Sequence, residues 1–287
     1  MVNRSSPRGR SSPNAASRAT PSRARRSLHD DVTAALRTLG IALTAEALDA
    51  ALKAAEAEAL GHLEFLHRLL AGPVEAKLQR ALERRVRDAK FRELTTLEGF
   101  DWSFNAQGVD RRVVEQLATC DFVRRRENVI LVGQSGPGKS RILQALGHAA
   151  CVRGYRVRYA TSAGLLQKFT AALADGTFSR MLDDYARFDL LLIDEFGFDR
   201  LERQACPEAP QLLYKVIEGR YGQRTTVLVT NVDFEAWGEY LGDAPLAMAF
   251  LDRLVDGAIV LKLRGRSYRA ARARTLASEK EDEAKSK

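Results

Sequence analysis

The segment Gly133-Gln-Ser-Gly-Pro-Gly-Lys-Ser140 restricts the fold of this chain more than any other stretch. It matches G-x-x-x-x-G-K-[ST] at every fixed position. Its flanks supply the context the motif needs. Asn128–Val132 reads as a buried strand, and Arg141–Val152 reads as a helix with Ile142, Leu146 and Ala149 on one side. Glycines let the backbone curl until several N–H groups face one phosphate cluster, and the helix N-terminus adds partial positive charge. In such a loop Lys139 reaches the β- and γ-phosphates of a nucleotide and Ser140 ligates Mg²⁺.

A second phosphate-site strand is expected about 55 residues on, at Leu190-Leu-Leu-Ile-Asp194-Glu195. Four apolar residues bury in a central strand and two acids emerge at its C-terminal edge. Asp194 is then placed to hold Mg²⁺, and Glu195 to activate a water for attack on the γ-phosphate. A third strand, Thr225–Thr230, ends in Asn231, whose amide suits a polar sensor between water and γ-phosphate; asparagine is also a normal turn residue there. With Arg156–Ala160 and Ala258–Leu263, and helices near residues 162–174, 177–187, 209–221, 234–240 and 246–256, the pattern predicts an α/β fold. Its sheet is parallel and covered on both faces, with the Thr225–Thr230 strand between the two motif strands.

Composition limits the alternatives. At 287 residues and 45% hydrophobic content the chain has material for one α/β domain and a smaller one. No apolar run approaches the roughly 18 residues of a membrane helix, so no membrane role is expected. The net charge of +8 is concentrated at the start: residues 1–27 hold seven arginines and no acid, leaving the rest near +1. A basic arm without an apolar face points to a polyanion, nucleic acid before membrane, or else to a solvated tail. Its Arg/Ser-rich composition resembles a transit peptide, but Pro7, Pro13 and Pro21 spoil the required amphipathic helix. Cys120, Cys151 and Cys206 are too scattered for a disulfide framework or a zinc site, and His62 and His67 are wrongly spaced for one helix face.

In chain order, residues 1–27 read as a disordered basic arm and 28–94 as a helical N-terminal domain. Residues 95–272 read as the ATPase domain and 273–287 as a disordered tail. Within 28–94, a short helix runs to Gly40 and a second, capped by Thr44, carries Leu48 to Leu70. Gly72-Pro73 is expected to break it before a third helix over Val74–Glu93. That third helix bears Lys77, Arg80, Arg84, Arg85, Arg87, Lys90 and Arg92, which read as a solvated face or as a DNA-facing one. Phe100, Trp102 and Phe104 alternate as in a short extended segment, placed to pack on an adenine ring or on the core.

The ordered set Gly133–Ser140, Asp194-Glu195 and Asn231 resembles the AAA+ ATPases. Leu117–Val123, Gly154–Arg158, Asn231–Gly238, Phe250-Leu-Asp-Arg-Leu254 and Gly265-Arg-Ser-Tyr-Arg269 resemble more narrowly the IstB-type helper ATPases of bacterial insertion sequences, relatives of the DnaC helicase loader. The resemblance covers about residues 28–272. It implies a five-stranded parallel sheet, a helical N-terminal domain and a reduced lid. It also implies a bacterial cytoplasmic ATPase, nucleoid-associated when on DNA, that assembles as a homo-oligomer on duplex DNA and stimulates the transposase of the same insertion sequence. Arg253 matches an arginine finger acting in a neighbouring subunit; the alternative is an ion pair with Asp252 or Asp256. Arg269 matches a second sensor. Nucleotide contacts then fall to Gly133, Gly136, Gly138, Lys139, Ser140, Arg141 and Arg269, with ATP and Mg²⁺ bound. Catalysis falls to Lys139, Glu195, Asn231 and Arg253, and metal ligation to Ser140 and Asp194. The rival reading is a DnaC-like helicase loader acting on single-stranded DNA; a small-metabolite kinase fits less well, because Glu195 follows Asp194.

Overall fold

A computed structural model describes residues 27–197, 208–268 and 270–272. The expectations for residues 1–26, Cys206, Arg269 and 273–287 lie outside the described residues. The chain divides into two compact units, and the division falls between Lys77 and Leu78.

The first unit holds α1 (Leu28–Thr38), α2 (Ala45–Ala57) and the start of α3 (His62–Ala89). Ser27 and Asp30 begin α1 with reciprocal side-chain-to-backbone bonds, a capping box that satisfies two free N–H groups. Thr44 caps α2 as expected, accepting from the Ala47 N–H at 3.2 Å. Gly72-Pro73 does not break the helix. α3 runs through Pro73, and the interruption comes earlier, between Glu58 and Gly61, where Ala59 takes a left-handed φ of 54°. Proline removes one donor and crowds the preceding turn, and the rest of the 28-residue ladder carries the helix past it. Arg68 and Glu58 form an ion pair, 2.5 Å between Nη1 and Oε2, across the interruption.

The second unit is built on five parallel strands: β1 (Val129–Val132), β2 (Val157–Thr161), β3 (Leu190–Phe196), β4 (Thr225–Thr230) and β5 (Ile259–Lys262). Their spatial order is β2-β3-β4-β1-β5, so β4 separates the two motif strands, as predicted. Side chains alternate across the sheet, and both faces are buried. Ile130, Val132, Leu191, Ile193 and Leu228 meet α7 (Ser162–Ala174), α8 (Phe178–Ala186), α9 (Ala209–Arg220), α10 (Trp237–Leu241) and α11 (Ala244–Val255). Val129, Leu131, Leu190, Leu192 and Val227 meet α4 (Arg111–Leu117), α5 (Asp121–Arg125), α6 (Lys139–Val152) and the C-terminal end of α3, through Leu82, Val86 and Ala89. Arg220 is 1% exposed at the end of α9, where it donates to the carbonyls of Tyr185, Phe188 and Thr225 and to Thr226 Oγ1.

The aromatic approach differs from the extended segment expected. Residues 102–108 form consecutive turns. The Asp101 carboxylate accepts from Ser103 N at 3.0 Å, Ser103 Oγ at 2.6 Å and Phe104 N at 3.2 Å. This side-chain cap outweighs the alternating pattern, because it satisfies backbone donors that an isolated strand would leave open. The Phe100 and Trp102 rings meet at a tilt of 54°, 4.6 Å between centroids, and both pack against the α6 side of the core.

Candidate nucleotide site

β1 ends against the loop that the motif prescribes. Gly133 N–H donates to the Thr230 carbonyl at 3.2 Å, and the chain turns through Gly136 (φ 113°) and Gly138 (φ 107°) into α6. A Cβ on Gly136 would lie 2.6 Å from Ser267 Cα, and one on Gly138 would lie 2.9 Å from the Phe100 ring. Both positions therefore need glycine for conformation and for space. Lys139 is buried, and its Nζ donates to the carbonyls of Gly133 (2.6 Å) and Gln134 (2.7 Å). Burial pushes its pKa down, against the opposing pull of Asp194.

The second motif strand delivers both acids. A register shift between Ile193 and Phe196 interrupts the β3–β4 ladder, and Glu195 takes φ 59°. Such bulges re-aim side chains at site edges, at a backbone cost of order 1–3 kcal/mol for a non-glycine residue. Asp194 is 1% exposed. Its Oδ1 accepts from Ser140 Oγ at 3.0 Å and from Glu195 N–H at 2.9 Å, and its Oδ2 accepts from Tyr159 Oη at 3.0 Å. Burial raises the Asp194 pKa, and these three donors oppose the rise. Glu195 Oε1 accepts from Arg92 Nη1 at 3.0 Å, three residues beyond the end of α3.

These groups share one cavity of about 680 Å³. Residues 135–141 form one wall, Asp194 and Glu195 another, and Arg92, Phe100, Phe104 and Tyr268 complete it. Phe104 meets Tyr268 edge-on at 5.0 Å, and Tyr268 N–H donates to the Gly136 carbonyl at 3.1 Å. Phe100 packs on the core, one of the two expectations, and also lines the cavity. Arg141 lines the cavity too, with Nη2 held 2.6 Å from the Gly99 carbonyl.

Three expected residues stand apart from this cavity. Gly133 precedes its lining, which takes in the loop from Ser135 onward. Asn231 is exposed beyond β4, with Oδ1 beside Gly197, where a Cβ would lie 2.7 Å away. Arg253 sits in the last turn of α11; it pairs with Glu218 at 3.1 Å and Asp252 at 2.5 Å and lies 5.0 Å from the Tyr221 ring centroid. Neither Asn231 nor Arg253 lines the cavity of its own chain.

The donor set fits a magnesium–triphosphate group. Ser140 and Asp194 are hard oxygen donors 3.0 Å apart, and residues 135–140 of the loop line the cavity beside them. Among the described residues no group of three or more His, Cys, Asp or Glu side chains could hold a metal unaided. A cation here would take its remaining ligands from phosphates and water.

Comparison with known proteins decides the family. The family described as IstB-like ATP binding protein matches residues 34–276. The chain belongs to this family. The insertion sequence IS5376 ATP-binding protein of Geobacillus stearothermophilus is 32% identical over 246 residues, 85% of this chain and 96% of that one. The insertion sequence IS21 ATP-binding protein of Pseudomonas aeruginosa is 35% identical over 222 residues, 77% of this chain and 82% of that one. A solved structure of DnaI has a similar fold, with TM-score 0.50 at 16% identity, covering 63% of this chain and 94% of that one. The fold of this IstB-like chain is that of the AAA+ P-loop ATPases.

Sequence reasoning missed Arg92 and Tyr159 as site residues. Arg92 looked like one more charge on a basic helix, and Tyr159 like one more large residue on a strand. Register and loop path put them beside the acids, and neither leaves a local signal.

Proposed function

We propose that this IstB-like chain binds ATP and hydrolyses it to ADP and phosphate, as an oligomeric helper that assembles on duplex DNA and stimulates the transposase of its insertion sequence. The observation that carries the reading is the convergence of loop residues 135–140, Asp194 and Glu195 on one cavity of about 680 Å³. Loop N–H groups and the N-terminus of α6 attract the triphosphate. Lys139 then exchanges its bonds to the Gly133 and Gln134 carbonyls for phosphate oxygens. Ser140 and Asp194 would hold Mg²⁺, which when bound draws charge from the phosphates. Glu195 orients and deprotonates the attacking water, which requires its bond to Arg92 to open. Asn231, which follows β4 at the same sheet edge, would act as a sensor, and the second-sensor role that the resemblance assigns to Arg269 belongs to the same reading.

Arg253 supports the assembly part. It is carried away from its own cavity on α11, as a residue serving a neighbour's site must be. Its pairs with Glu218 and Asp252 are exposed and weak enough to exchange. The relatives from Geobacillus stearothermophilus and Pseudomonas aeruginosa are insertion-sequence proteins, which supports the transposition context. The decisive test is Glu195→Gln in the full chain. ATP and duplex DNA binding persist and turnover stops; turnover at the wild-type rate would remove Glu195 as the base.

A further inference from the structure

The metal-site carboxylate has a partner that no motif contains. Tyr159 lies on β2 in register with Leu192 of β3, while Thr161 is in register with Asp194. Tyr159, Leu192 and Asp194 face the same side of the sheet, toward α6, and a long side chain reaches its diagonal neighbour across a strand pair. The Tyr159 phenol uses that diagonal. Its body packs among apolar residues at 6% exposure, and its tip donates to Asp194 Oδ2 at 3.0 Å. Tyr159 does not line the nucleotide cavity, so it reaches the carboxylate from behind. The two oxygens of Asp194 thus have separate duties. Oδ1 meets Ser140 and the Glu195 N–H on the cavity side, and Oδ2 meets Tyr159 on the core side.

We propose that Tyr159 is a positioning residue for the magnesium site, fixing the Asp194 carboxylate so that it favours metal-bound over metal-free nucleotide. The inference rests on the reading of Asp194 as the metal residue. Rotation about the terminal bond of an aspartate is soft, and burial alone does not choose an orientation. A single donor on the rear oxygen does choose one, and it persists when Ser140 Oγ turns from Asp194 toward a cation. Partners of this outer kind orient metal ligands, and their loss weakens metal binding roughly 10–100-fold.

The test is Tyr159→Phe in the full-length protein, a change of one oxygen. Binding of a fluorescent non-hydrolysable ATP analogue is titrated with Mg²⁺, alongside turnover. The inference predicts that the Mg²⁺ midpoint rises about tenfold in both titrations. Nucleotide binding without Mg²⁺ and turnover at saturating Mg²⁺ stay near wild type. Leu192→Val, on the same face, perturbs packing without touching the carboxylate and leaves the midpoint in place. An unmoved midpoint in Tyr159→Phe, or an equal shift in Leu192→Val, overturns the inference. Asp194→Asn separates the two levels: if its binding still responds to Mg²⁺ like wild type, the underlying reading of Asp194 fails instead.

Discussion

At the residue scale, the site's acids sit under opposing demands. Asp194 is buried, and its carboxyl is pushed above the ordinary range. Between its unfolded and folded values the folded chain therefore holds more protons than the unfolded one. Stability falls as pH rises through that interval and stays lower at neutral pH. Asp194→Asn removes the buried charge while keeping an acceptor for Ser140. It should stabilise the nucleotide-free chain by on the order of 1 kcal/mol, or about 2–4 °C in Tm, while abolishing turnover. Thermal melting at neutral pH checks this; a lower melting temperature would contradict it. Glu195 is paired instead with Arg92, both side chains being more than a third exposed, at 41% and 60%. An exposed pair contributes roughly 0.2–1 kcal/mol, so Arg92→Gln should leave melting unchanged and raise basal ATP turnover by at most about fivefold. A fall in turnover would show Arg92 acting on the nucleotide itself. Lys139, Ser140, Asp194 and Glu195 were legible because phosphate chemistry demands those side chains at those spacings. Tyr159 and Arg92 were not, since their roles come from strand register and loop path.

At the element scale, strands and helices of the second unit follow their hydrophobic periods closely, and the misreadings occur where a local interaction beats a period. Asp101 folds the aromatic segment into turns, and α3 tolerates Pro73 because its long ladder and the packing of its C-terminal end outweigh one lost bond. Gly72 lies inside α3 with nothing within 4 Å of an added Cβ. Gly72→Ala should therefore stabilise the helix by about 1 kcal/mol, read as roughly fivefold slower amide exchange in α3. Unchanged exchange would show that this stretch already opens by another route. Arg220 is the opposite case. Burial and nearby Arg224 push it down to about 9, so it remains charged at pH 7 with its donors available. Arg220→Met would leave the buried carbonyls of Tyr185 and Thr225 and the half-buried one of Phe188 without this donor, at a cost of about 1–3 kcal/mol in unfolding free energy. Denaturant unfolding measures it, and a loss below about 1 kcal/mol would deny Arg220 its structural role.

At the scale of the whole molecule, the layered α/β fold was legible because fully buried parallel strands leave continuous apolar runs and the phosphate loop dictates strand, turn and helix. For Arg253 the sequence offered an arginine finger in a neighbouring subunit or a surface ion pair, and within one chain the residue pairs with Glu218 and Asp252. An Arg253→Ala chain should bind ATP but turn it over poorly, and mixing it with Lys139→Ala chains should restore part of the rate. No recovery at any mixing ratio would place Arg253 outside the neighbour's site. In the proposed function, ATP turnover is tied to assembly on duplex DNA. That link is tested most directly by measuring ATP hydrolysis with and without duplex DNA, at two salt concentrations, while light scattering follows particle mass. Duplex should raise the rate, mass should grow only with ATP, and both effects should shrink at high salt. A rate and mass indifferent to duplex DNA, or responsive to single strands alone, would contradict it.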